Sequence, residues 1–457
     1  MSEIKQKKNR YEIDMCNGSV MDKLISFSIP LMLSGILQLL FNAVDIIVVG
    51  RFTGSHALAA VGSTTALINV FTNLFIGVSL GANVLAARFY ASGREREMSE
   101  TVHTAITFAL LSGIVMVFAG LLFSRGALEL MDTPQDVIDQ STLYMRIYFA
   151  GMPFFMVYNY GAAILRAVGD TKRPLLFLII AGVTNALLNL FLVIVMHLGV
   201  AGVAIATVIA QMISCILVLR CLYKTDSCYQ LRFSKLMLKW RYLKQIFQVG
   251  IPAGIQSTVI NFSNVLLQSS VNSFGSIAMA GYTAANNIFG FLFASVNSIT
   301  QACMSFTSQN YGVGKWKRMD KVLRNCILLS VIVSLVLGGG SYLFGPELLK
   351  IYTSDQAVIQ CGMEILLYTT VTYFMCGLMD LFPGALRGMG YSAVPMLLSV
   401  VGTVGTRVAW IFWVFPKHRA LDVLFISYPA SWLVTIILQV ICYYFVRRKV
   451  KNKLKQN

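Results

Sequence analysis

Hydrophobic positions in this chain come in long unbroken runs, not in the alternation of a surface strand or the one-sided stripe of a soluble helix. Twelve runs are long enough for a bilayer-spanning helix, which needs about 20 largely apolar residues. They cover 24–50, 56–87, 101–123, 140–165, 174–196, 199–222, 246–272, 279–309, 321–345, 361–385, 394–415 and 422–446. Alternating segments of about ten residues, the mark of a membrane β-barrel, are absent. The joints are short, and the longest, 223–245, is basic with too few apolar residues for a domain. The pattern predicts an all-α membrane protein of twelve transmembrane helices. Residues 1–23 are polar and basic (Lys5, Lys7, Lys8, Arg10) and lack an apolar core with a cleavage site, so no signal peptide is expected.

Composition agrees. Of 457 residues 56% are hydrophobic and 12% charged, against roughly 25% charged in soluble proteins. So few charges cannot cover a globular surface, which excludes water-soluble enzymes. The net charge of +17 would suit nucleic acid, but its placement says otherwise. With both termini in the cytoplasm, 30 of the 37 Lys and Arg lie on the cytoplasmic side and five outside; Arg146 and Arg407 fall within spans. Positive charge retained inside fixes orientation, and basic loops facing anionic lipid account for the excess without nucleic acid. The nine cysteines show no metal-ligand or redox spacing and read as small core residues.

An internal repeat organises the spans. At an offset of 221 residues, Leu165-Arg166-Ala-Val-Gly169 with Pro174 falls on Leu386-Arg387-Gly-Met-Gly390 with Pro395. Ser55 meets Ser276, Tyr90 meets Tyr311, Gly93 meets Gly314 and Phe123 meets Phe344; Ile29-Pro30 meets Ile251-Pro252 after a one-residue slip. The chain therefore divides into an N-lobe, 1–222, and a C-lobe, 223–457, of six spans each. An even number of spans makes the repeat parallel, with a pseudo-two-fold axis along the membrane normal. Two such lobes, rocking about a cleft, form a carrier.

No nucleotide site is present: Gly312-Val-Gly314-Lys315 lacks the first glycine and the hydroxyl of a phosphate loop. An ion gradient is then the expected energy source, and it needs charged or coordinating groups at membrane depth, where they are costly. Asp45, Arg146, Glu364, Asp380 and Arg407 qualify by position. Asp45, in the first span, could exchange a proton or, kept ionised, bind Na⁺; the alternative is a side chain at the outer headgroup level near Arg51. Asn185 and Asn189 are i and i+4 on one face of the fifth span and either complete an oxygen-rich pocket with Asp45 or bond between helices. Asp380 and Arg387 suit a structural ion pair as well as a coupling site. Arg407 needs an acceptor, for which Asp380 or Glu364 could serve, or it attracts an anionic substrate. Arg146 and Glu364 sit near outer helix ends, where side chains snorkel. His103 and His197 are expected to be satisfied interfacial histidines.

These features resemble the multidrug and toxic compound extrusion (MATE) transporters. The motifs are Pro30 with Asp45, Ala163-Ile-Leu165-Arg166-Ala-Val-Gly169-Asp170-Thr, Gly199-Val-Ala-Gly202, Gly250-Ile-Pro252-Ala-Gly254, Gln309-Asn310-Tyr311-Gly312 and Gly384-Ala385-Leu386-Arg387-Gly388. The similarity runs from about residue 15 to 448 and is greatest to the bacterial branch named after a DNA-damage-inducible protein. The resemblance implies that Asp45 is the carboxylate of cation coupling, that Asn159, Asn185 and Thr207 are its polar partners, and that Pro30 marks a bend. Where the family often reads Asn-x-x-Leu-Asp-Pro, this chain has Asn185-Ala-Leu-Leu-Asn189-Leu. One titratable group is left, which favours coupling to a single ion.

The expectation is a cytoplasmic-membrane antiporter that exports amphipathic, cationic organic compounds in exchange for H⁺ or Na⁺. It works as a monomer, with no cofactor and no resident metal, and with Asp380 and Arg407 as candidate C-lobe or substrate groups. The alternative is a lipid-linked oligosaccharide flippase, for which Arg146 and Arg407 are few intramembrane cations. A receptor or scaffold would have no use for Asp45.

Overall fold

The computed structural model describes residues 10–131 and 133–456, which leaves Lys5, Lys7 and Lys8 outside the described residues. Among the described residues there is no strand, and apart from the short helix Gly345–Lys350 and the 3-10 turn Phe233–Lys235 the helices form twelve rods. These are α1 (Val20–Phe52), α2 (Ser55–Ala91), α3 (Glu95–Glu129), α4 (Ile138–Ala150 continued by Met152–Ala167), α5 (Lys172–Leu190 continued by the π-helical Phe191–Val195) and α6 (Gly199–Tyr223). After them come α7 (Trp240–Asn272), α8 (Ser276–Gly312), α9 (Trp316–Leu343), α10 (Gln356–Thr370 continued by Tyr373–Gly388), α11 (Ala393–Val414) and α12 (Leu421–Gln456).

Each apolar run lies within or closely overlaps one rod, and the helices commonly outlast the runs because backbone hydrogen bonding continues into polar flanks. Among the described residues nine helices are individually long and apolar enough to cross a bilayer, and the two parts of α10, bent by 43°, make a tenth span. The remaining two are legible for other reasons. Gly151 divides α4 into pieces too short to span singly, and α7 carries Gln256, Asn261, Ser263 and Asn264 along its length. Such polar positions need protein neighbours, since lipid offers no hydrogen bonds.

The repeat is visible in the backbone. Three pairs of turn glycines, Gly54 and Gly275, Gly93 and Gly314, Gly169 and Gly390, share positive φ, from 67° to 96°. These are the 221-residue pairs of the sequence. A left-handed residue reverses the chain after a helix at no steric cost when it is glycine. At Gly169 space matters too: a Cβ would lie 2.6 Å from the backbone of Ile13.

By contacts the chain forms two compact units. One joins residues up to Ile13 to Ile36–Gly250; the other joins Asp14–Gly35 to the chain from Ile251 onward. The units thus cut the chain elsewhere than the repeat division after residue 222. The basic stretch stays with the first unit because it is bonded to α3: the Arg232 N–H donates to His103 Nε2 (3.1 Å), the Lys239 N–H to Thr104 Oγ1 (3.3 Å), and Lys239 pairs with Glu100 (2.5 Å). His103 is buried with Nδ1 2.6 Å from the Ser99 carbonyl, a satisfied histidine as expected. The start of α1 belongs to the second unit, where Phe27 meets Phe306 edge-on (5.6 Å between ring centres). The changeovers, at Gly35 and Gly250, lie close to the repeat-related Pro30 and Pro252. Pro30 sits inside α1, which runs through it without a break. Among the described residues no cysteine forms a disulfide, and all nine are buried or half-buried.

Candidate functional site

The first unit brings Asp45 to the face of α5 predicted from the Asn185–Asn189 spacing. Contact between α1 and α5 is made possible by Gly182, where a Cβ would stand 1.8 Å from the Phe41 ring. One turn beyond Phe41 comes Asp45, and two turns beyond Gly182 comes Asn189. There the Asn189 amide donates to Asp45 Oδ1. The same Nδ2 donates to Asn185 Oδ1 (3.2 Å), and Asn185 Nδ2 reaches Thr207 Oγ1 on α6 (3.4 Å). Thr207 in turn donates to the Val203 carbonyl (3.0 Å). A single line of polar contacts, Asp45–Asn189–Asn185–Thr207, crosses three helices.

Asn185 and Asn189 are buried, while Asp45 and Thr207 are half-buried. The Asp45 carboxylate is thus partly covered, with Asn189 of α5 against one of its oxygens. Asn189 Oδ1 is buried and has no hydrogen-bond partner among the described residues. An unpaired buried carbonyl forfeits its hydration without return, so this oxygen beside a carboxylate fits an added proton or cation. Asn189 ends the regular part of α5: two residues on, the helix widens into the π-turns of Phe191–Val195, a feature frequent at functional positions. Tyr144 and Tyr148 of α4 stack 6.2 Å apart in the same unit.

Asn159 does not join this line among the described hydrogen bonds. Its amide donates to the Phe155 carbonyl of its own helix (2.8 Å). Arg146 and Glu364 are exposed.

In the second unit the expected acceptors of Arg407 are not its partners. Arg407 is 3% exposed. Its Nε donates to Ser431 Oγ (3.3 Å), and Nη1 to Ser263 Oγ (3.2 Å) and Asn264 Oδ1 (2.8 Å). The guanidinium lies over the Tyr428 ring at 4.6 Å. Among the described residues neither Asp380 nor Glu364 bonds to it. Asp380 senses Arg387 without forming an ion pair among the described residues, while Arg387 donates to Gln256 Oε1 (2.7 Å). Glu364 neighbours Asp422. The sequence reading missed Ser263, Asn264, Tyr428 and Ser431; the signal available was an amide and a serine in the middle of the α7 run. Among the described residues no cluster of three or more His, Cys, Asp or Glu could hold a metal.

The MatE family model matches residues 30–191 and again 252–413, so both halves carry the same unit of sequence. The probable multidrug resistance protein YoeA of Bacillus subtilis is 31% identical over 94% of this chain and 95% of its own length. The probable multidrug resistance protein NorM of Thermotoga maritima is 26% identical over 88% of this chain and 87% of its own. Among solved structures, an outward-facing multidrug resistance MATE family transporter of the MOP superfamily superimposes with a TM-score of 0.88. It covers 99% of this chain and 100% of that one at 19% identity, a likeness of fold. The chain belongs to the MatE family and is a multi-pass membrane transporter, not an enzyme.

Proposed function

We propose that this transporter is a multidrug exporter that expels amphipathic, cationic organic compounds in exchange for H⁺ or Na⁺, by alternating access of its two units. The observation that carries the coupling is the line from Asp45 through Asn189 and Asn185 to Thr207. A carboxylate at this depth is costly, and the unpaired Asn189 Oδ1 gives it a second oxygen with which to hold a cation or meet a proton. Loading Asp45 removes a charge from the membrane interior, and unloading restores it. An element whose stability depends on that charge then prefers different conformations in the two states. With Asn at position 189, one carboxylate serves the site and one ion is exchanged per cycle. The names of the curated relatives support drug efflux over lipid flipping. In this reading the exporter works in the cytoplasmic membrane as a monomer with both termini inside, which the distribution of Lys and Arg supports for the orientation.

The test is efflux of ethidium from proteoliposomes driven by ΔpH or by ΔNa⁺ alone, for the wild type and Asp45→Asn. One gradient should drive the wild type, and Asp45→Asn should lower the initial rate at least about tenfold, the scale of a lost charge-assisted interaction. If neither gradient moves ethidium, antiport is wrong. Equal rates in the variant mean that coupling lies at another residue.

A further inference from the structure

We infer that the second unit holds a binding site for the carboxylate group of an organic substrate at Arg407. It goes beyond the efflux reading and does not depend on which ion Asp45 exchanges.

The guanidinium is buried, and every group that holds it is neutral: the hydroxyls of Ser263 and Ser431, the amide oxygen of Asn264, and the face of Tyr428. Among the described residues no carboxylate makes a hydrogen bond or an ion pair with it. Hydroxyl and amide dipoles orient a cation but do not cancel its charge, and an unpaired buried charge is strongly unfavourable. A structural arginine at such a place is normally given an acid by its own chain. Here Nη2, with two N–H donors, has no partner among the described residues. A planar fork with open donors matches the two oxygens of a carboxylate.

The surroundings suit an organic body attached to that group. Tyr428 packs against Trp432 (5.7 Å), Trp432 against Tyr373 (6.1 Å), and Tyr373 against Phe289 (4.9 Å). Trp432 and Tyr373 are fully buried core rings, so the ring at the guanidinium itself is Tyr428, whose face favours an aryl or other apolar carboxylate over a small inorganic anion.

The repeat reinforces this placement. The two family matches are spaced 222 residues apart at both ends, which sets Arg407 opposite Asn185. Pro174 and Pro395, earlier in the same helices, are 221 apart. The π-helical stretch Val400–Gly405 lies between Pro395 and Arg407, and π-turns absorb one added residue. The first unit thus offers oxygens near Asp45 at the position where the second offers a guanidinium.

The test is equilibrium binding of 2-naphthoate and of its uncharged analogue 2-naphthamide to the purified, full-length protein in detergent, without any gradient. Tryptophan fluorescence gives the binding curve and thermal unfolding reports the fold. The wild type should bind naphthoate at least tenfold more tightly than naphthamide. Arg407→Gln should lose that preference, and Arg407→Lys should keep part of it. Asn264→Asp supplies an internal carboxylate 2.8 Å from Nη1, so it should abolish the preference while raising the melting temperature. This last variant decides the matter even where Arg407→Gln fails to fold, because a purely structural arginine predicts no change in ligand preference on gaining a counter-charge. Equal binding of the two ligands by the wild type, or a preference unchanged in Asn264→Asp, overturns the assignment. Either failure leaves the ethidium experiment, and the efflux reading, as they stand.

Discussion

Asn189 is the residue on which the coupling line turns, because one amide nitrogen serves both Asp45 and Asn185. Contacts along the line weaken with distance from the carboxylate, and so should their effects. Asn189→Ala removes a donor to a charged group and should lower the initial ethidium efflux rate about tenfold. Asn185→Ala removes a neutral contact and should cost about fivefold, while Thr207→Val, at the end of a 3.4 Å contact, should fall within about twofold. Efflux rates in proteoliposomes at matched protein density check the order; a Thr207→Val effect exceeding that of Asn189→Ala would break the scheme. The sequence displayed this much because charge and amides at membrane depth stand out, and because i and i+4 residues share a helix face. It did not display the fate of Asn159, whose amide satisfies itself on the carbonyl one turn back, an option open to any polar side chain in a helix. Nor did it show what meets Arg407. The cost of a buried cation suggested a carboxylate, but the Ser263 and Asn264 contacts lie more than 140 residues away in the chain and depend on how α7 and α11 pack.

At the level of elements, the α1–α5 contact decides whether the line can form at all. Gly182 is fixed by the Phe41 ring, whereas Gly62 in α2 has nothing within 4 Å of an added Cβ. Gly182→Val should force α1 and α5 apart and separate Asp45 from Asn189. Overpacking of this kind costs about 1–3 kcal/mol, enough to lower the unfolding temperature measurably in detergent and to suppress efflux. Gly62→Ala, which removes backbone freedom without a clash, should hold or raise that temperature. Comparable unfolding temperatures and efflux rates in the two variants would show that the helices tolerate a wider spacing and that the close approach is not needed. The runs of apolar residues located all twelve rods, since a span is a matter of length and hydropathy. They could not locate the 43° bend in α10 or the π-helical stretches of α5 and α11, which reflect local hydrogen-bond register and packing.

For the whole molecule, the distribution of Lys and Arg makes the most exposed commitment. The turns between α2 and α3, α4 and α5, α6 and α7, and α8 and α9 are flanked by basic residues, from Arg94 through Lys172 and Arg232 to Lys317. The opposite joints are nearly bare, with Arg51, Arg125, Lys350, Lys417 and Arg419 as their cations. Insertion retains clusters of positive charge on the cytoplasmic side, so a chain of twelve spans with this bias should enter and leave from within. Alkaline phosphatase, which is active only outside the cytoplasm, reads this directly when fused after successive spans. Fusions after residues 130, 198, 350 and 418 should be active, and those after 94, 170, 235 and 315 inactive. The decisive pair flanks α7, the rod that is long enough but not apolar enough to qualify as a span by itself. Inactive at 235 and active at 274, the fusions place α7 across the bilayer. That is what its polar positions require if Gln256, Ser263 and Asn264 are to meet Arg387 and Arg407 inside the protein. The same activity state at both positions would remove α7 from the membrane, invert every span after it, and leave those arginines without the partners that hold them.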